Sequence, residues 1–299
     1  MRWVICAFVS AALVGLMDVF RKQSLRDNNV LQVLLLNVFF SALFLLPLII
    51  NAQFHLNLFS SPFLQLPQGN LAWHGLAFLK ACIVLLSWVF MFFALKHLPI
   101  TLTAPINATY PILTLIGAMI LFGEKLNCYQ WIGIVISAGS LVLLSRTGHK
   151  EGIRFSHNKW IWLLAASALC SAASSLYDKF LLQHLHLLFV QSWYTLYQLI
   201  LMVLGVAAVR YFARSKNTPF HWSWCILGAS VCLSVSEFVY FYALQEPQAL
   251  ISVVSMIRRA SVIVTFMCGA FYFHEKNLSA KTRDLLLIII GMLFLGLGS

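Results

Sequence analysis

The chain has 299 residues, of which 61% are hydrophobic and 10% charged, with a formal net charge of +11. Long apolar runs with so few charges exclude an ordinary soluble domain and indicate an all-α, polytopic membrane protein. Without a zinc-knuckle or helix-turn-helix pattern, the positive charge points to membrane orientation and not to nucleic acid.

Ten apolar runs are predicted to cross the bilayer: 3–20, 31–50, 72–95, 101–122, 129–145, 160–182, 188–209, 223–244, 249–273 and 284–298. The first is too long for the apolar region of a signal peptide and is kept as a helix. It ends in a charged turn from Arg21 to Asn29, and Asp18 near its end is expected to pair with Lys22 at i+4. The third run carries Trp88 and also Lys80, about 13 Å deep at 1.5 Å per residue. Lys80 reads as a cavity cation or as a lysine at the end of a tilted helix. The fourth holds Pro105, Asn107, Tyr110 and Pro111, and two prolines are expected to kink it and turn Asn107 or Tyr110 toward a cavity. The longest polar link, Arg146 to Lys159, follows the fifth run. Asp178, near the end of the sixth, is expected to pair at the interface like Asp18. The eighth contributes Glu237 and Tyr240. Further aromatic candidates for stacking a substrate are Trp193, Tyr194, Tyr197 and Tyr242.

The ninth run contains Arg258 and Arg259, roughly 14 Å from its start and so near the midplane of a bilayer core about 30 Å thick. An arginine at that depth costs at least ~2.5–3.5 kcal/mol, which makes the pair a candidate site. Consecutive helical residues point about 100° apart, so the two arginines cannot share a direction. Ser252, Ser255 and Arg259 form one polar stripe, which favours Arg259 toward the cavity and Arg258 toward a neighbouring carboxylate. Glu237 is that carboxylate, because it and Arg258 fall at similar depth on consecutive antiparallel helices. The two arginines read as an anion clamp or as a structural pair, and Glu237 as their partner or as the carrier of a coupling proton. The 7 cysteines are scattered as buried small hydrophobes, and the 9 histidines lack metal-ligand spacing. No cofactor or metal is expected.

The chain reads as two similar halves, residues 1–145 and 160–299, joined by a linker at 146–159. Leu16-Met17-Asp18-Val19-Phe20 recurs as Leu176-Tyr177-Asp178-Lys179-Phe180. Ala94-Leu95 with Pro99 recurs as Ala243-Leu244 with Pro247, and Gly123-Glu124-Lys125 as His274-Glu275-Lys276. An odd number of spans per half requires opposite insertion, and the loop charges reverse between halves accordingly. Arg21, Lys22 and Arg26 follow the first run, whereas Arg210, Arg214 and Lys216 follow the seventh. One side of the membrane carries only Arg2, Lys125 and Lys179. The positive-inside rule puts that side, with both termini, outside the cytoplasm of a cell membrane.

Two five-helix halves with Glu-Lys after the fourth and ninth helices resemble the drug/metabolite transporter superfamily, the EamA-type members in particular. The resemblance implies ten transmembrane helices as inverted repeats around a central cavity, alternating access and a small organic metabolite as substrate. With the buried residues it makes Arg258, Arg259, Glu237, Lys80, Trp88, Asn107, Tyr110 and Tyr240 the substrate-binding candidates. Excess buried cation favours an anionic or zwitterionic substrate such as an amino acid. The alternatives are a cationic or quaternary amine, or, in another class, a membrane lipid-modifying enzyme or non-transporting protein. No nucleophile, metal set or acid–base pair is apparent for an enzyme. The expected partners are the metabolite, the lipid bilayer and a coupling proton or ion, with no nucleic acid.

Overall fold

The computed structural model describes residues 2–54, 66–107, 109–122, 127–150, 157–182, 184–212, 220–245, 257–258, 260–273 and 278–297. Among these residues the chain is all-helical and has no strand. The helices are α1 (Arg2–Ser24), α2 (Val30–Phe54), α3 (Leu71–His97), α4 (Ile100–Asn107), α5 (Tyr110–Phe122), α6 (Cys128–Lys150), α7 (Lys159–Leu182), α8 (Leu187–Phe212), α9 (Trp224–Gln245), α10 (Ser261–Tyr272) and α11 (Leu278–Leu297). Among the described residues, six stretches are long and apolar enough to cross a bilayer: Trp3–Ser24, Val30–Phe54, Leu71–His97, Ile100–Leu121, Lys159–Asp178 and Leu187–Tyr211. Cys128–Leu144, Trp224–Tyr240 and Ser261–Tyr272 are shorter apolar helices.

Asparagine starts four of these helices, because its side-chain oxygen accepts from backbone N–H groups that have no partner inside the helix. Asn29 accepts from Leu31 N at 3.0 Å, Asn70 from Trp73 N at 2.9 Å and Asn158 from Trp160 N at 2.9 Å. Asn127 accepts from Gln130 N while Gln130 Oε1 accepts from Asn127 N, both at 3.0 Å, a reciprocal capping box.

Two elements differ from the sequence expectation. The fourth run is broken outright into α4 and α5. Pro105 falls in the last turn of α4, and Pro111 is the second residue of α5, where a missing N–H costs no helical bond. The tenth run begins six residues earlier, so Lys281 lies on a helix together with Asp284, and both are fully buried. They are satisfied locally: Lys281 Nζ donates to Thr101 Oγ1 at 2.9 Å, and Asp284 Oδ2 accepts from Thr147 Oγ1 at 2.7 Å. Of the ninth run, Ile257, Arg258 and 260–273 are described. Arg259, Ser252, Ser255 and both Glu-Lys motifs lie outside the described residues.

The principal pairings are α1 with α9 and α10, α2 with α8 and α9, α3 with α7 and α8, α5 with α7, α4 with α10, and α6 with α11. Large apolar side chains such as Phe8, Leu43, Val135 and Leu204 face outward, as lipid contact requires. Lipid removes the hydrophobic drive between helices, so close packing and interhelical hydrogen bonds, each worth about 0.6 kcal/mol, hold them together. Ser10 Oγ donates to Ser236 O at 2.9 Å, Asn37 Nδ2 to Ser230 Oγ at 3.0 Å, and Ser87 Oγ to Ser167 O at 3.1 Å. Where α6 crosses α11, a Cβ on Gly133 would stand 2.7 Å from Gly291 O. Only glycine allows that approach.

One end of the bundle is laced by polar contacts. Lys22 Nζ donates to Leu95 O and Leu98 O, both at 2.6 Å, at the carbonyl end of α3. Lys96 Nζ donates to Asn28 O at 2.7 Å, and Asn28 Nδ2 to His221 O at 2.7 Å. His97 stacks on Trp160 with ring centroids 3.6 Å apart.

Candidate functional site

A cavity of about 440 Å³ opens between the helices. Each wall is a helical stripe. Val14, Met17, Asp18 and Arg21 recur at i, i+3, i+4 and i+7 along α1. Trp88 and Met91 come from α3 at i and i+3, Ser167 and Ser171 from α7 at i and i+4, and Leu233 and Tyr240 from α9 at i and i+7. Asn107 and Tyr110 face it from the two sides of the α4–α5 break, and Arg258 from the helical pair Ile257–Arg258 ahead of α10.

Arg258 donates to Glu237 and lies 4.5 Å over the ring of Tyr240. Both charged side chains keep 22% exposure, so cavity water reaches the pair. Glu237 itself lines a second, smaller chamber and not the large cavity. Lys80 is placed away from the large cavity as well. Its Nζ stands 2.5 Å from Asp178 and 4.4 Å from the centre of the Tyr194 ring, which satisfies both members of a charge couple between α3 and α7. Trp88, Asn107, Tyr110, Tyr240 and Arg258 therefore meet in one cavity, while Lys80 and Glu237 lie behind its wall. Arg259 lies outside the described residues.

The structure corrects the expected interfacial role of Asp18, which lies on the cavity wall while Lys22 reaches across to α3. Thr265 Oγ1 is 3.5 Å from Asp18 Oδ2 and 3.1 Å from Ser261 O, and its one proton serves a single acceptor at a time. Arg21, read from sequence as part of a charged turn, is 7% exposed. Its guanidinium lies 4.6 Å over Trp88 and 5.2 Å over Phe92, and Nη2 donates to Asn37 Oδ1 at 3.3 Å. Its Nε has no hydrogen-bond partner. Ser87, Ser167 and Ser171 also escaped sequence reading. They cluster where α3 meets α7, with Ser87 Oγ 2.8 Å from Ser171 Oγ. Asp18 and Arg21 lie three residues apart on one face of the first run, but the charged turn beside them drew both into a surface reading.

The family model of the EamA-like transporters matches residues 1–146. The first half of this chain belongs to the EamA-like transporter family. That places the chain in the drug/metabolite transporter superfamily, as an integral multi-pass membrane protein of transporter type. A solved crystal structure, described only as that of a protein, is similar over 98% of this chain and 97% of its own, with a TM-score of 0.60 at 17% identity. At that identity the likeness concerns the fold alone, and it extends over the half beyond the EamA-like match. No curated protein matches the chain.

Proposed function

We propose that this EamA-like chain is a secondary active, alternating-access transporter of a small zwitterionic or anionic metabolite, with an amino acid as the best-fitting class. One observation carries the reading: Arg258 borders a cavity that also holds Asp18 and Arg21. A zwitterion needs one anion and one cation on opposite sides of its small body, and that wall offers both. The volume of about 440 Å³ is within the range of pockets for small organic ligands.

The rival substrate, a quaternary amine boxed by aromatic rings, fits less well. The faces of Trp88 and Tyr240 are already covered by Arg21 and Arg258. A cationic ligand stacking on the same face would compete with a protein cation and meet its like charge.

The helix pairings support two inverted halves, with α1, α2, α3, α4–α5 and α6 corresponding to α7, α8, α9, α10 and α11. Exchanging the halves turns the α1–α9 pairing into α7–α3, α1–α10 into α7–α5, and α2–α9 into α8–α3. The pairs α2–α8, α4–α10 and α6–α11 map onto themselves. A cavity on the axis of such an exchange, opened alternately by the two halves, is the arrangement that alternating access uses. Under this reading ten spans cross a cell membrane with both termini outside.

A thermal-shift screen of the purified protein tests the substrate class, since a ligand bound at 100 times its Kd adds about 2.7 kcal/mol of stability. Amino acids or their anionic analogues should raise the melting temperature, and Arg258→Ala should abolish the shift. Stabilisation by quaternary amines alone would overturn the reading.

A further inference from the structure

The smaller chamber, about 100 Å³, adjoins the large cavity, and Trp88 and Leu233 belong to both walls. Ser41, Gln191, Thr195, Gln198, Ser234 and Glu237 bring polar groups into an otherwise apolar and aromatic lining. Gln191, Thr195 and Gln198 recur at i, i+4 and i+7 along α8, and Ser234 and Glu237 face them from α9. Gln198 is 1% exposed, and its amide nitrogen has no hydrogen-bond partner. A buried N–H without an acceptor is costly and calls for a bound one. The chamber exceeds the ~10–15 Å³ that a single water needs, and its walls offer the polar contacts that hold water.

The second observation is the position of Glu237. It lines the chamber, while Arg258, to which it is bonded, lines the large cavity. One ion pair thus joins two compartments. Each end is exposed to a different one.

We infer that the chamber is a water-filled proton site serving Glu237. Gln198 Nε2 donates to a chamber water, whose own protons then point to the carboxylate. A hydronium in the chamber gives its proton to a carboxylate oxygen of Glu237 and becomes water. Arg258 keeps its charge, loses its anionic partner and turns to an anion in the large cavity. Among the described residues, the groups around Glu237 supply no second strong cation. Tyr194 faces it from α8, with Lys80 behind that ring already paired to Asp178, and Tyr240 on its own helix lies under Arg258. Ser41 from α2 and Trp88 from α3 carry no charge. The use of the released arginine rests on the transport reading, but the proton site does not.

Infrared difference titration of the purified full chain in lipid, without substrate, tests it. A carboxylic-acid C=O band should grow as the pH falls in the wild type and be missing in Glu237→Gln. Deuterium exchange into that band should slow about tenfold in Gln198→Leu, the effect of losing one water hydrogen bond on the route. Sodium chloride at fixed pH should leave the band unchanged. Persistence of every titrating band in folded Glu237→Gln, or wild-type exchange in Gln198→Leu, overturns the inference. Loss of the band on adding sodium overturns it in favour of a metal cation. If Glu237→Gln does not fold, the Gln198→Leu arm decides alone. No uptake enters the assay, so its failure leaves the transport reading intact.

Discussion

Arg258 donates to Glu237 and, with the same guanidinium, covers the ring of Tyr240 on the cavity side. The arginine is therefore both neutralised and accessible, with 22% of its side chain exposed. That combination separates the consequences of removing either partner. Arg258→Ala should abolish ligand-induced stabilisation and cost ~2–3 kcal/mol of stability, less than the ~3–5 of a dry pair because Glu237 keeps an exposed face toward the smaller chamber. Glu237→Gln should keep ligand binding, since the arginine remains. Melting curves with and without an amino acid panel check both, and unaltered binding in Arg258→Ala would remove the arginine from the site.

Asp18 gives a sharper test of substrate class. If it holds an ammonium group, Asp18→Asn should weaken amino-acid binding at least about tenfold, the scale of one charge-assisted hydrogen bond. The corresponding hydroxy acids, which lack the ammonium, should bind Asp18→Asn no worse than they bind the wild type. Paired titrations of the two ligand series read the difference. Equal losses in both would leave Asp18 with a structural role only.

The crossing of α6 and α11 predicts a purely mechanical defect. A Cβ on Gly133 meets the Gly291 carbonyl at 2.7 Å and Leu295 Cγ at 2.8 Å, and a backbone carbonyl cannot swing aside. Gly133→Val should cost about 1–3 kcal/mol by forcing the helices apart. Ligand affinity of the folded fraction should not change, because neither glycine borders the cavity.

Orientation is tested in intact cells. With native cysteines replaced, a single cysteine at Ser299 should react with an impermeant reagent, and one at His149 should react only after permeabilisation. The opposite pattern would reverse the side assignment and leave the relation between the halves untouched, since that rests on the charge difference between loops.

Much of the helical layout was legible because apolar run length is a local signal. The bounds of α2, α3, α7 and α8 depart from the runs by only a few residues. The pairing of Arg258 with Glu237 was reachable from depth, because the eighth and ninth runs are consecutive in sequence and a long arginine side chain bridges the difference between the two positions. The start of α11 was hidden, because Lys281 precedes the apolar run and reads as a loop cation until Thr101 takes its hydrogen bond. Asp18 was misread for a similar reason. Its i+4 neighbour Lys22 is drawn to carbonyls at Leu95 and Leu98, partners that no local spacing reveals. The chamber at Gln198 exists only where α2, α3, α8 and α9 converge, so no single run announces it.

The break between α4 and α5 has a consequence for how this chain's preferences can change over time. Asn107 and Tyr110 stand on opposite sides of it, so no helical geometry fixes the gap between their side chains. That gap is set by the anchors: α4 rests on α10, where Gly269 meets Ile100 and Thr101, and α5 rests on α7, where Gly117 meets Leu176. A substitution at either contact shifts one part of the cavity wall against the other. Selectivity can therefore drift while every cavity-lining side chain stays the same, and chains with matching pockets need not share a ligand.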